Sequence, residues 1–89
     1  EVGAGPGCFA KPKGIALDSQ GHVYVADGLF ENVQVFDAEG ALLLTFGSSG
    51  GALGELSLPT GLVFDGSDRL FVADAGNARV QVFRFRGSP

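Results

Sequence analysis

An ungapped internal repeat limits what this chain can fold into more than any other feature. Shifted by 47 residues, the segment 12–36 overlays 59–83 with ten of 25 positions identical. The identities are Pro12/Pro59, Gly14/Gly61, Asp18/Asp65, Val25/Val72, Ala26/Ala73, Asp27/Asp74, Val33/Val80, Gln34/Gln81, Val35/Val82 and Phe36/Phe83. Most other positions keep their chemistry, as at Ile15/Leu62, Leu17/Phe64, Val23/Leu70 and Tyr24/Phe71. The correspondence runs upstream through Gly3/Gly50, Gly7/Gly54 and Phe9/Leu56. A period in the range of roughly 20–50 residues marks a structural unit that buries its apolar face only against copies of itself.

Within a unit, short apolar runs alternate with turn residues. In the first copy the runs are 14–18 (GIALD), 22–26 (HVYVA), 33–36 (VQVF) and 41–46 (ALLLTF), separated by Ser19-Gln20-Gly21, by 27–32 and by Asp37-Ala38-Glu39-Gly40. Runs of this length, bounded by Gly, Asp and Ser, are strand signals. No eleven-residue window keeps an i, i+3, i+4 apolar pattern clear of Gly and turn residues, which argues against helices. The 15 glycines point the same way, since Gly inside a helix costs about 1 kcal/mol relative to Ala. Four antiparallel strands per unit at this period predict an all-β chain of two β-propeller blades. Lettered a to d from hub to rim, the a strand is small and apolar at Gly14, Ile15 and Ala16, as a strand near a crowded axis must be.

The motifs Pro12-x-Gly14-Ile15-Ala16-Leu17-Asp18, Val23-Tyr24-Val25-Ala26-Asp27 and Val33-Gln34-Val35-Phe36-Asp37 resemble the NHL repeat. The second copy, Val72-Ala73-Asp74-Ala75-Gly76-Asn77-Ala78-Arg79-Val80-Gln81-Val82-Phe83, is closer still. The resemblance spans residues 3–84 and implies a β-propeller, six-bladed in most of that family. The wording of the first copy is most similar to bacterial exported propellers, which implies a periplasmic or extracellular location. The first copy departs from the pattern between its b and c strands. It has Gly28-Leu29-Phe30-Glu31-Asn32, with Phe30 and Asn32 where the second has Asn77 and Arg79.

Chain length and composition add exclusions. With 89 residues the chain holds a single two-blade unit, blade 1 at about 12–47 and blade 2 at about 59–89. Two blades close no ring, so the expectation is either a homo-oligomer, three copies making six blades, or the rest of a longer propeller. The first residues align near the end of a d strand, which suits strand exchange at the ends. A net charge of -4 speaks against a nucleic-acid surface, which needs a basic face. No run approaches the ~20 apolar residues of a membrane helix. One cysteine, Cys8, allows no internal disulfide and no cysteine metal site.

In a propeller the d–a and b–c loops share one face, and that face binds partners. The candidate binding residues there are Leu29, Phe30, Glu31, Asn77, Arg79 and Lys13. Leu29 and Phe30 put two apolar side chains in a loop, as a contact point does, unless Phe30 folds back as packing. Asn77 and Arg79 offer polar contacts or, as the resemblance implies, hold the blade together. Lys13, with Lys11, attracts an anion or is solvated surface. Asp18, Asp27, Asp65 and Asp74 are read as turn acceptors rather than as metal ligands or catalytic acids. His22 is read as a surface histidine. The Gly-rich stretches at 3–7 and 47–54 lead into strands, not helices, and so are not phosphate loops. The functional expectation is a non-enzymatic scaffold or binding module with no cofactor and no metal. The alternative is part of a propeller lyase or hydrolase with its site in the central channel. RNA binding, implied by the resemblance for relatives with basic faces, is opposed by the acidic balance.

Overall fold

The computed structural model describes residues 12–84. Its first sheet is a meander of β1 (Pro12–Leu17), β2 (Val23–Asp27), β3 (Asn32–Phe36) and β4 (Leu42–Phe46), each antiparallel to the next. The second repeats the path with β5 (Pro59–Phe64), β6 (Arg69–Asp74) and β7 (Arg79–Arg84). The only helical turn among the described residues is a single turn of 3-10 helix, Ala75–Asn77. The a strands start at Pro12 and Pro59, two residues before the expected Gly14 and Gly61, because each proline still faces an aspartate across a bulge. A fourth strand for the second sheet, strand exchange at the ends, Cys8, Lys11 and the stretch 3–7 lie outside the described residues.

The repeated aspartates act as turn acceptors. Asp18 Oδ1 accepts the backbone N–H groups of Gln20 and His22, each at 2.9 Å. Asp65 Oδ1 does the same for Ser67 and Arg69, and Asp37 Oδ1 for Glu39 and Ala41. A short carboxylate that caps its own turn fixes each hairpin and hence the register of the strands beside it. The a–b turns also share a left-handed residue at equivalent positions, Gly21 (φ 85°) and Asp68 (φ 58°).

Register decides which faces meet, since residues opposite one another share a face. One face of the first sheet carries Gly14, Ala16, Tyr24, Ala26, Val33, Val35, Leu44 and Phe46. It packs against the face of the second sheet that carries Leu62, Phe64, Leu70, Val72 and Phe83. Tyr24 meets Phe64 edge-on with centroids 4.7 Å apart, and Phe46 meets Phe83 at 5.0 Å. The two sheets therefore join front to back, with repeat-equivalent positions on opposite sides of the interface. The a strands approach closest. A Cβ on Gly14 would stand 3.0 Å from the Thr60 carbonyl oxygen and 3.2 Å from the Gly61 Cα. At the far ends of these strands, the Asp68 carboxylate accepts the backbone N–H and the hydroxyl of Ser19, tying the two a–b turns together.

Candidate functional site

The loop joining the sheets, residues 47–58, is built around Leu56. This side chain is fully buried and belongs to the intersheet core. Its N–H donates to the Ser48 carbonyl at 2.7 Å, and the Gly50 N–H donates to its carbonyl at 3.1 Å. Gly47, at φ 87°, lets the chain leave β4 directly over Leu56, and a Cβ there would come within 2.8 Å of Leu56 Cδ1. Burying one leucine thus folds the whole loop over the end of the sheets.

Asp74 holds this loop to the second sheet. It is fully buried. Its Oδ1 accepts the Ser57 N–H at 2.7 Å, and its Oδ2 accepts Asn77 Nδ2 at 2.9 Å, Arg79 Nε at 2.8 Å and Gln81 Nε2 at 3.2 Å. Burial pushes this carboxyl up, but the donors Asn77, Ser57, Arg79 and Gln81 outweigh it and hold the pKa at about 2. The same side chains reach the loop: Asn77 donates to the Gly50 carbonyl, Arg79 Nη2 to those of Ala52 and Glu55, and Gln81 to that of Glu55. Asn77 and Arg79 thus spend most of their donors on the frame.

The b–c loop of the first copy carries other residues. Asp27 Oδ1 accepts the N–H groups of Leu29 and Phe30, each at 2.9 Å, so this carboxylate organises its own β2–β3 loop. Asn32 is too short to reproduce the span of Arg79, and its Oδ1 is buried without a hydrogen-bond donor among the described residues. Glu31, at φ 59°, reaches across to the second repeat, where its Oε2 accepts the Leu58 N–H at 3.1 Å. The Ser49 hydroxyl and that N–H lower its pKa. Lys13 lies along Gly28.

The six candidates therefore share one end of the sheets but play unlike parts. Leu29 projects into solvent, 61% exposed. Phe30 is half-buried. Glu31, Asn77 and Arg79 join neighbouring loops, and Lys13 borders the face. Sequence reasoning singled out none of the leucines of the 47–58 loop, yet Leu53 is 91% exposed and Leu58 54%. Leu58 also holds a positive φ of 50°, which a bulky side chain adopts only under constraint. The available signal was Lys11, which occupies the equivalent position in the first repeat and marks it as solvent-facing.

The comparison with known families settles the architecture. The family model described as NHL repeat matches residues 9–36 and again 56–83, more than half of the chain. The chain belongs to the NHL-repeat family. NHL repeats form β-propeller blades, and the two sheets here are two such blades, the second described through its third strand. The curated relative "Protein brain tumor" of Drosophila melanogaster is 38% identical over 50 residues. That match covers 56% of this NHL chain and 5% of the relative, so the chain spans about a twentieth of that protein's length.

Proposed function

We propose that this pair of NHL blades is a non-enzymatic interaction module that binds a protein partner through the face formed by residues 47–58 and the two b–c loops. One observation carries the reading. Leu29, Leu53 and Leu58 are exposed on a face whose backbone is fastened from beneath by Asp74, Asn77, Arg79 and Glu31. Apolar side chains on an exposed, pre-ordered loop lose little entropy on binding and gain burial, which is how contact points are built. Lys13 and Glu31 give the rim both signs of charge.

The strands that approach between the blades, β1 and β5, bring Gly14, Ile15, Ala16, Gly61, Leu62 and Val63 toward the hub. That apolar lining supports a binding role over a lyase or hydrolase site in a channel. The ring closes through the intersheet contact already present. The free face of blade 2, with Gly61, Val63, Ala73, Val80 and Val82, repeats the face that blade 1 buries. It accepts a further blade of the same kind, and three copies of this chain give six blades.

A photocrosslinking side chain placed at Leu29 or at Gln20, on the opposite end, tests the binding face in extracts of the source organism. Adducts of defined mass from position 29 and none from position 20 are expected. Equal labelling from both ends, or none from either, overturns the reading.

A further inference from the structure

The Glu31 carboxylate is not a feature of the repeat. The second copy has Ala78 there, in the same left-handed backbone, φ 54° against 59°. The blade therefore asks for that backbone and not for an acid. The groups that Glu31 meets depart from the repeat as well. Its carboxylate accepts the hydroxyls of Ser49 and Ser57 and, at 3.1 Å, the N–H of Leu58. The positions equivalent to the two serines hold Val2 and Ala10, which carry no hydroxyl. Acceptor and donors are thus added together, on the two sides of one contact between the blades. Ser49 stands near the start of loop 47–58, and Ser57 and Leu58 stand at its end, so one carboxylate closes the loop. Glu31 is itself anchored, since its N–H donates to the Asp27 carbonyl at 2.9 Å. Leu58 holds the left-handed region, at φ 50°, which a leucine occupies only under constraint.

We propose that Glu31 is a proton-operated latch: ionised, it holds Leu58 and both ends of loop 47–58 against the first blade, and protonated, it releases Leu58 and withdraws it from the binding face. The inference rests on the reading of that face as the one that binds. An ionised carboxylate makes hydrogen bonds roughly twice as strong as a neutral acceptor does, and protonation turns one of its oxygens into a donor. Ser49, Leu58 and Ser57 together outweigh burial and the Asp74 charge, so the carboxyl titrates below its ordinary 4.5. The other charges around the loop are engaged elsewhere. Asp74 is paired with Arg79, Glu55 Oε1 accepts the Ala52 N–H, Asp27 Oδ1 accepts those of Leu29 and Phe30, and Lys13 runs along Gly28. Because the folded value is the lower one, the latch is fully closed above 4.5 and opens as pH falls below it.

The test needs no partner, so its failure is distinct from a failure of the binding reading. Amide shifts and exchange protection are followed by NMR in the isotope-labelled 89-residue chain from neutral pH into the acid range. The Leu58 amide should titrate with a midpoint below 4.5, and its Cα and Cβ shifts should leave the left-handed region over the same range. Ser57, whose N–H donates to Asp74, should titrate near 2 instead. Gly54, whose N–H donates to the uncharged Gln81 side chain, should stay protected while Leu58 opens. Glu31→Ala installs the residue that the second copy already carries in this backbone. In that variant the Leu58 titration should vanish, and Leu58 should exchange roughly tenfold faster at neutral pH. Glu31→Gln, which keeps a neutral acceptor, should also abolish the titration, with a smaller rise in exchange. A Leu58 midpoint that survives either substitution, a Leu58 that keeps its backbone and protection in Glu31→Ala, or loss of Gly54 protection together with that of Leu58 overturns the proposal.

Discussion

Asp74 shows how much of the binding face rests on one side chain. Its carboxylate collects a backbone N–H from the loop and three side-chain donors from the second blade. Its folded pKa lies near 2, below the ordinary 3.8, so the folded state favours the anion more than the unfolded chain does. That contribution is complete above the unfolded value and drains away as pH falls from about 4 toward about 2. Asp74→Asn keeps the shape but loses the charge that matches Arg79. The variant should be less stable at neutral pH by about 2–4 kcal/mol, and its stability should fall less steeply through the acid window. Denaturant melts at several pH values measure both effects. An acid limb as steep as that of the parent would assign the window to other carboxylates, of which Asp18 and Asp65 are also lowered. Tyr24 marks the opposite case: burial and the neighbouring Asp18 charge push its phenol up to about 12, so it stays a neutral donor to Asp18.

At the scale of elements, the strands and hairpins were legible because both repeats state them twice. Asp18, Asp65 and Asp37 cap their turns as their position between apolar runs implies. Loop 47–58 was less legible. Its fold depends on Leu56 reaching a core made by both sheets, a contact that no local pattern reports. The surroundings of Asp27 and Asp74 also differ beyond what identity at the same repeat position suggests, since Phe30 and Asn32 stand in the first copy where Asn77 and Arg79 donate to Asp74 in the second. Leu56→Ala should therefore act on the element as well as on the core. A loss of about 2–4 kcal/mol is expected for a buried leucine, together with faster amide exchange at Gly50 and Leu56, whose N–H groups lie in the loop's own hydrogen bonds. Slow exchange at those two amides in a destabilised variant would show that the loop is held by the Asp74 network alone.

At the scale of the molecule, front-to-back packing has a consequence that face-to-face packing lacks. A contact between unlike faces leaves one of each kind open, and such a contact propagates until it closes. Ile15 and Leu17 are exposed on one open face, Val63, Val80 and Val82 on the other. The paired glycines separate folding from assembly. Gly14 lies against the Thr60–Gly61 backbone inside the chain, whereas a Cβ on Gly61 would meet only the Ala73 Cβ, at 3.7 Å. Gly14→Ala should therefore weaken the fold itself, by roughly 1–3 kcal/mol for overpacking against backbone. Gly61→Ala should leave the melting of a single chain nearly unchanged and yet block the approach of the next blade. Sedimentation equilibrium of the parent should give the mass of three chains, and Gly61→Ala should shift it to that of one without loss of the strand signal in circular dichroism. A parent that sediments as a monomer with an intact strand signal would remove the trimer. A Gly61→Ala variant that still assembles would place the contact on surfaces other than the repeated blade face.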